Sequence, residues 1–261
     1  MKRYLLALMM TLVAQGASAG VVGQNVDYRQ GDTVLEGYVA YDDSIKGTRP
    51  GILVIHEWTG VTAYEKMRVE QLAKLGYVAF AADIYGKGVR PTGPEQAAKE
   101  AGKYRGNDRS LLRARGAAGL ARLASYPQVD PKRLAVMGYC FGGTAALELA
   151  RSGADVLGTV SFHGGLSTPN PADARNIRGK VLALHGADDP YVKADEVAAF
   201  QKEMRDAKVD WQMNFYGNAV HSFTNPKSGN DNSKGAAYNE KADRRSFEAM
   251  KLFFNEIFAT H

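Results

Sequence analysis

The sequence predicts an α/β protein with a mostly parallel, doubly wound central sheet flanked by helices. Three observations predict it. Five short, continuous apolar runs recur along the chain, as expected of strands buried on both faces. Helix-like stretches alternate with those runs, and a pattern resembling a β-hairpin precedes them.

The first 19 residues stand apart from the fold. Lys2 and Arg3 form a positive start, Tyr4 to Val13 an apolar core, and Ala17-Ser18-Ala19 a small-residue cleavage site, so the segment reads as an export signal cut near Gly20. The apolar run is about half the roughly 20 residues that a spanning helix needs, which argues against a membrane anchor. The expected mature chain is residues 20–261, folded as one domain and located in the periplasm or outside the cell.

Within it, Val26–Arg29 and Thr33–Tyr41 are broken at Gly31-Asp32 in the manner of a hairpin. The buried-strand runs are Gly51–His56, Tyr77–Asp83, Arg133–Gly138, Gly158–Phe162 and Lys180–Gly186. Between and after them lie the expected helices Ala63–Leu75, Arg109–Ser125, Phe141–Arg151, Ala194–Lys208 and Lys241–Phe258. Trp211–Tyr216 supplies a last apolar run. Two stretches interrupt the alternation: Tyr85–Asn107, rich in Gly, Pro, Lys and Arg, and the polar Asn225–Glu240. Each reads as a surface loop or as a rim over the ligand site, which such sheets place at the carboxyl ends of their strands.

Composition narrows the function. Losing Lys2 and Arg3 takes the formal charge from +5 to +3, a mild excess that does not argue for nucleic acid. The single Cys140 excludes an intramolecular disulfide and any cysteine-rich metal cluster. His56-Glu57 lacks the His-Glu-x-x-His spacing of a zinc site. The basic residues from Lys99 to Arg122 include Arg105, Arg109 and Arg113 at helical spacing; a solvated face is the favoured reading, with steering of an anionic substrate or contact with an acidic partner as alternatives.

The chemistry concentrates in Arg133-Leu-Ala-Val-Met-Gly138-Tyr139-Cys140-Phe141-Gly142-Gly143, where an apolar strand runs into Gly-x-Cys-x-Gly-Gly and then into a helix former. This is the context of a nucleophile elbow with cysteine in the serine place. Small neighbours at Gly138 and Gly142 let the side chain between them project from the sheet. The turn also aims the Phe141 N–H, at a positive helix end, toward a developing oxyanion. A cysteine here competes with two plainer readings, a small buried apolar residue and part of a dinucleotide loop. The second fails because Gly-x-Gly-x-x-Gly needs glycine where Cys140 stands.

Such a nucleophile needs an acid and then a histidine later in the chain. Of the five histidines, His221 comes last among the internal ones, just after Trp211–Tyr216, whereas His56, His163 and His185 precede the acid. Gly186-Ala187-Asp188-Asp189-Pro190 offers two acids. Asp189 is preferred from its spacing in Gly-x-x-Asp-x-x-Val, and Asp188 reads as a turn or cap residue.

The motifs His56-Glu57-Trp58-x-Gly60, Ala82-Asp83-Ile84-Tyr85, Gly138-Tyr139-Cys140-Phe141-Gly142-Gly143, His185-Gly186-x-x-Asp189 and His221-Ser222-Phe223 carry a resemblance. Over nearly the whole mature length the chain resembles the dienelactone hydrolase family of α/β-hydrolases. The resemblance implies Cys140 as nucleophile, His221 as base, Asp189 as orienting acid, and the backbone N–H groups of Trp58 and Phe141 as oxyanion hole. It further implies that Glu57 hydrogen-bonds the resting thiol and releases it when an anionic substrate binds. The neighbourhoods it assigns to substrate binding hold Tyr85 and Lys87 on one side and Ser222 with Thr224-Asn225 on the other. The resemblance implies an arginine for a substrate carboxylate in each neighbourhood, so one positive charge is kept as Lys87 and the other is replaced by the neutral Thr224-Asn225. The expected function is cofactor-independent cleavage of a small ester, lactone or thioester through an acyl-enzyme. Acyl transfer to another acceptor, and a non-catalytic thiol switch or binding protein, are the alternatives.

Overall fold

A computed structural model describes residues 20–259; the expected export signal at residues 1–19 lies outside them. The chain builds one eight-stranded sheet in the order β1-β2-β4-β3-β5-β6-β7-β8. Its strands are β1 (Val21–Gln30), β2 (Thr33–Asp42), β3 (Arg49–Ile55), β4 (Val78–Ala82), β5 (Val129–Tyr139), β6 (Gly158–Phe162), β7 (Lys180–Gly186) and β8 (Trp211–Tyr216). The hairpin β1–β2 is antiparallel and meets β4 antiparallel, and every later pairing is parallel. The apolar runs behave as their composition demands, since β3, β4 and β6 are buried at every residue.

Helices cover both faces. On one, α1 (Ala63–Lys74) and α6 (Glu240–Ala259) place Val69, Leu72, Met250 and Phe254 against the sheet. On the other, α3 (Ser110–Ala124) and α4 (Phe141–Arg151) contribute Leu112, Leu123, Ala146 and Leu149. Farther along, α5 (Ala194–Ala207) packs Phe200 and Met204 beside Val181 and Ala183 of β7. Helix α1 begins at a capping box, with the Thr62 side chain accepting from the Tyr64 N–H and Glu65 accepting from the Thr62 N–H.

One expectation is corrected. The stretch Tyr85–Asn107, read as loop or rim, contains α2 (Pro94–Gly102). Proline at the first helical position suits the missing N–H, and Ala97 and Ala101 bury one narrow face. The helix is only nine residues long, and the surrounding Gly and Pro residues read as loop.

The strand order sets the site. From β3 the chain crosses one way to β4 and later the other way to β5, so the sheet reverses direction at the carboxyl ends of β3 and β5. His56-Glu57-Trp58 follow the first of these ends and Cys140 the second.

Candidate active site

Cys140 sits between β5 and α4 with φ +53°, a left-handed conformation that is costly for a side-chain-bearing residue. Close backbone approach holds it there. A Cβ on Gly138 would overlap the Gly142 carbonyl, and one on Gly142 would overlap the Ile55 carbonyl of β3. The Cys140 N–H is shared between the Phe162 carbonyl at 3.0 Å and His163 Nδ1 at 3.1 Å, which pins the turn to the end of β6.

The loop after β8 brings His221 to the sulfur. His221 Nε2 lies 3.0 Å from Cys140 Sγ, and Nδ1 lies 2.8 Å from Asp189 Oδ2. Asp189 is buried and also accepts the Tyr191 N–H at 2.9 Å, whereas Asp188 is exposed. Burial works against a charged His221, but the cysteine sulfur and the Asp189 carboxylate outweigh it and hold the imidazole well above its ordinary range.

The backbone N–H groups of Trp58 and Phe141 donate to no acceptor among the described residues. The segment carrying Trp58 is braced from behind: His56 Nε2 accepts the Ile84 N–H at 3.1 Å, and the Tyr85 hydroxyl donates to the Trp58 carbonyl at 2.9 Å. Tyr85, His56 and Phe141 rings pack on one another. Tyr85, expected at the substrate, therefore supports the loop instead of lining the cavity.

Glu57 is 5% exposed. Burial, followed by the neighbouring Glu65, pushes its carboxyl up to about 7. The expected hydrogen bond to the thiol is not what the structure shows. Glu57 Oε2 accepts the Asn225 amide at 2.6 Å and Oε1 the Ser222 hydroxyl at 3.5 Å, while the sulfur faces His221. Asn225, expected at the substrate, thus serves as the carboxyl's donor.

Cys140, Glu57, Trp58, His221 and Ser222 line one cavity of about 760 Å³. Lys87 does not. Gly86 and Gly88, both with positive φ, turn it outward to an exposed ion pair with Asp27 of β1. Arg105 and Arg109, favoured as a solvated face, do line the cavity, from the irregular segment between α2 and Ser110. No cluster of three or more His, Cys, Asp or Glu able to hold a metal occurs among the described residues.

Sequence reasoning passed over a buried chain beneath Cys140. His163, at φ +39°, accepts the Cys140 N–H on Nδ1 and therefore carries its proton on Nε2, which lies 2.7 Å from Thr224 Oγ1. Burial, with His221 next, keeps His163 neutral by pushing it well below its ordinary range. Thr224 Oγ1 also lies 2.7 Å from the Tyr64 hydroxyl, its carbonyl accepts from Arg68 Nη2 at 2.7 Å, and Arg68 pairs with Asp243 at 2.6 Å. The only signal in sequence is a histidine directly after a fully buried strand, which chain order set aside as too early to be the base.

A family model for the dienelactone hydrolase family matches residues 35–258. The chain belongs to the dienelactone hydrolase family. The solved structure named m3DLH is 41% identical, with a TM-score of 0.88 over 91% of this chain and 99% of that one. A dienelactone hydrolase-like promiscuous phosphotriesterase from metagenomic libraries is 40% identical, with a TM-score of 0.87 over the same shares. The protein usf of Aquifex pyrophilus is 30% identical over 210 residues, 79% of this chain and 89% of its own length. With these relatives the eight-stranded sheet is an α/β-hydrolase fold, and the chain is a dienelactone hydrolase-like hydrolase.

Proposed function

We propose that the chain cleaves an ester, lactone or thioester through a cysteine acyl-enzyme. The observation that carries the reading is the line from Asp189 through His221 to Cys140, with contacts of 2.8 and 3.0 Å. In this reading His221 Nε2 takes the thiol proton while Asp189 fixes Nδ1–H toward itself. The sulfur attacks the carbonyl carbon, and the resulting oxyanion receives the free N–H groups of Trp58 and Phe141. The carbonyl re-forms as the alkoxide or thiolate leaves with the proton from His221. Water, giving a proton to His221, then attacks the acyl-sulfur bond. The acid departs and the thiol recovers its proton.

Glu57 is read as the residue that answers to substrate. Its carboxyl, raised to about 7, lines the same cavity as Cys140, where a ligand entering to reach the sulfur would meet it. The N-terminal pattern of Lys2, Arg3, the apolar run and Ala17-Ser18-Ala19 supports export to the periplasm or beyond. An intact mass beginning near Gly20 tests that; a mass that keeps Met1 opposes it.

The catalytic reading is tested with an activated aryl ester. A burst of about one equivalent of phenol per chain, followed by slower turnover, is the expected signature of an accumulating acyl-enzyme. Cys140→Ala should lose at least about a thousandfold in kcat with the thermal melt retained. Substantial turnover by the folded variant overturns the assignment.

A further inference from the structure

Three arginines at helical spacing behave differently. Arg113 is neutralised twice, by Glu148 at 2.8 Å and by Asp173 at 2.7 Å. Only Arg113 lies within α3; Arg109 immediately precedes that helix and Arg105 lies in the turns after α2, so the three share no helical face, and neither Arg105 nor Arg109 forms an ion pair with any described residue. Both line the cavity that opens on Cys140. The Arg105 guanidinium lies 5.4 Å over the Phe141 ring, above the residue whose N–H is free at the elbow. Arg109 Nε and Nη1 are enclosed by protein without an acceptor.

This arrangement is costly as it stands. The two guanidiniums repel each other, and one partly withdrawn from water wants an anion. Burial first, and then Arg151, Arg105 and Arg113, push Arg109 below the ordinary arginine range against the opposing pull of Glu148. The acids that share the cavity are already engaged. Glu57 is held by Asn225 and Ser222, and Glu196 accepts the N–H groups of Leu166 and Ser167 at 2.6 and 2.9 Å. Arg109 is also not needed to cap α3, since its side chain makes no capping bond.

We propose that Arg105 and Arg109 form an anion subsite that holds a carboxylate or phosphate carried by the substrate away from its reacting carbonyl. The subsite rests on the hydrolase reading of the cavity and gives that substrate a charge and a direction. The cavity's volume of about 760 Å³ leaves room for a ligand reaching from the sulfur to the guanidiniums. It belongs to the α2–α3 connection, not to the turn after β4, where Lys87 points away.

The test compares 4-nitrophenyl hydrogen glutarate with its neutral methyl ester, and with a 4-nitrophenyl ester that ends in a phosphonate. Wild type should prefer one anionic ester over the neutral one in kcat/KM, and which anion is preferred tells carboxylate from phosphate. Losing a charge-assisted contact of about 2 kcal/mol is about 30-fold, so Arg109→Ala or Arg109→Gln should reduce the anionic-to-neutral ratio by about that factor. Arg105→Ala should reduce it by about tenfold, as befits a more exposed partner, and Arg109→Lys should retain part of it. An unchanged ratio in folded Arg109→Ala and Arg109→Gln overturns the proposal. Titration with free glutarate and free phosphate separates the two readings. If no ester is cleaved, yet either anion binds wild type and not Arg109→Gln, the subsite stands and the hydrolase reading falls. If esters are cleaved and neither anion binds, the subsite falls alone.

Discussion

Cys140 and His221 stand 3.0 Å apart, yet two different kinds of force hold them there. The elbow is local. Its strand, turn and helix are consecutive in sequence, and its shape follows from two glycines against which backbone carbonyls press directly. The histidine loop follows the edge strand β8; Ala219 and Val220 press their carbonyls on Gly186 ahead of His221, and the backbone of His221 itself is held by hydrogen bonds to Gly235 and Ala237. From His221 onward it is also tied down by distant side chains: Asp189 to His221, Arg68 to the Thr224 carbonyl, and His163 and Tyr64 to the Thr224 hydroxyl. Steric locking makes the position of Cys140 all-or-none, whereas hydrogen-bond tethering makes that of His221 adjustable.

The largest effect should come from the locked side. Gly142→Ala drives a methyl into the Ile55 carbonyl of the fully buried β3, which has nowhere to retreat. A loss of about 3 kcal/mol or more in urea unfolding is expected, with ester turnover lost in whatever folds. Near-normal stability and activity would show that the elbow yields after all.

The tethered side should give graded losses. His163→Leu removes the acceptor for the Cys140 N–H and the donor to Thr224, but leaves the Phe162 carbonyl in place. A destabilisation of about 1–3 kcal/mol and a fall of roughly tenfold in kcat, with little change in KM, are expected. Asparagine tolerates the positive φ and offers an oxygen near the Nδ1 position, so His163→Asn should recover part of kcat. Equal kcat values for the two variants would mean that the ring's acceptor plays no part in positioning.

The smallest effect concerns pH. Folded Glu57 keeps its proton to about 7, whereas the unfolded carboxyl releases it near 4.5. Unfolding therefore releases a proton between those values, and Glu57 makes wild type lose stability as pH rises through that window, by at most about 3 kcal/mol. Glu57→Gln keeps an acceptor for Asn225 and has no charge to bury. Its melting temperature should fall less between pH 5 and pH 8 than that of wild type. Parallel curves for the two proteins would show that the carboxyl is solvated enough to ionise freely.

Periodicity was enough to read the parallel sheet, because buried strands must be continuously apolar and each is short. The elbow was legible for a related reason: Gly-x-Cys-x-Gly-Gly has to compress its geometry into neighbouring residues. Spacing to Val192 likewise distinguished Asp189, which meets His221, from the exposed Asp188. Long-range packing was needed for everything that depends on where a side chain comes to rest. Lys87 and Arg109 are both cations in Gly-rich or polar surroundings, yet one is turned out to Asp27 and the other faces the cavity. His163 and Asn225 carry no pattern that marks their partners, Cys140 and Glu57, which lie 23 and 168 residues away. Local sequence constrains backbone shape through sterics, but a charge or a hydrogen-bonding group acquires its role from whichever distant group the fold brings to it.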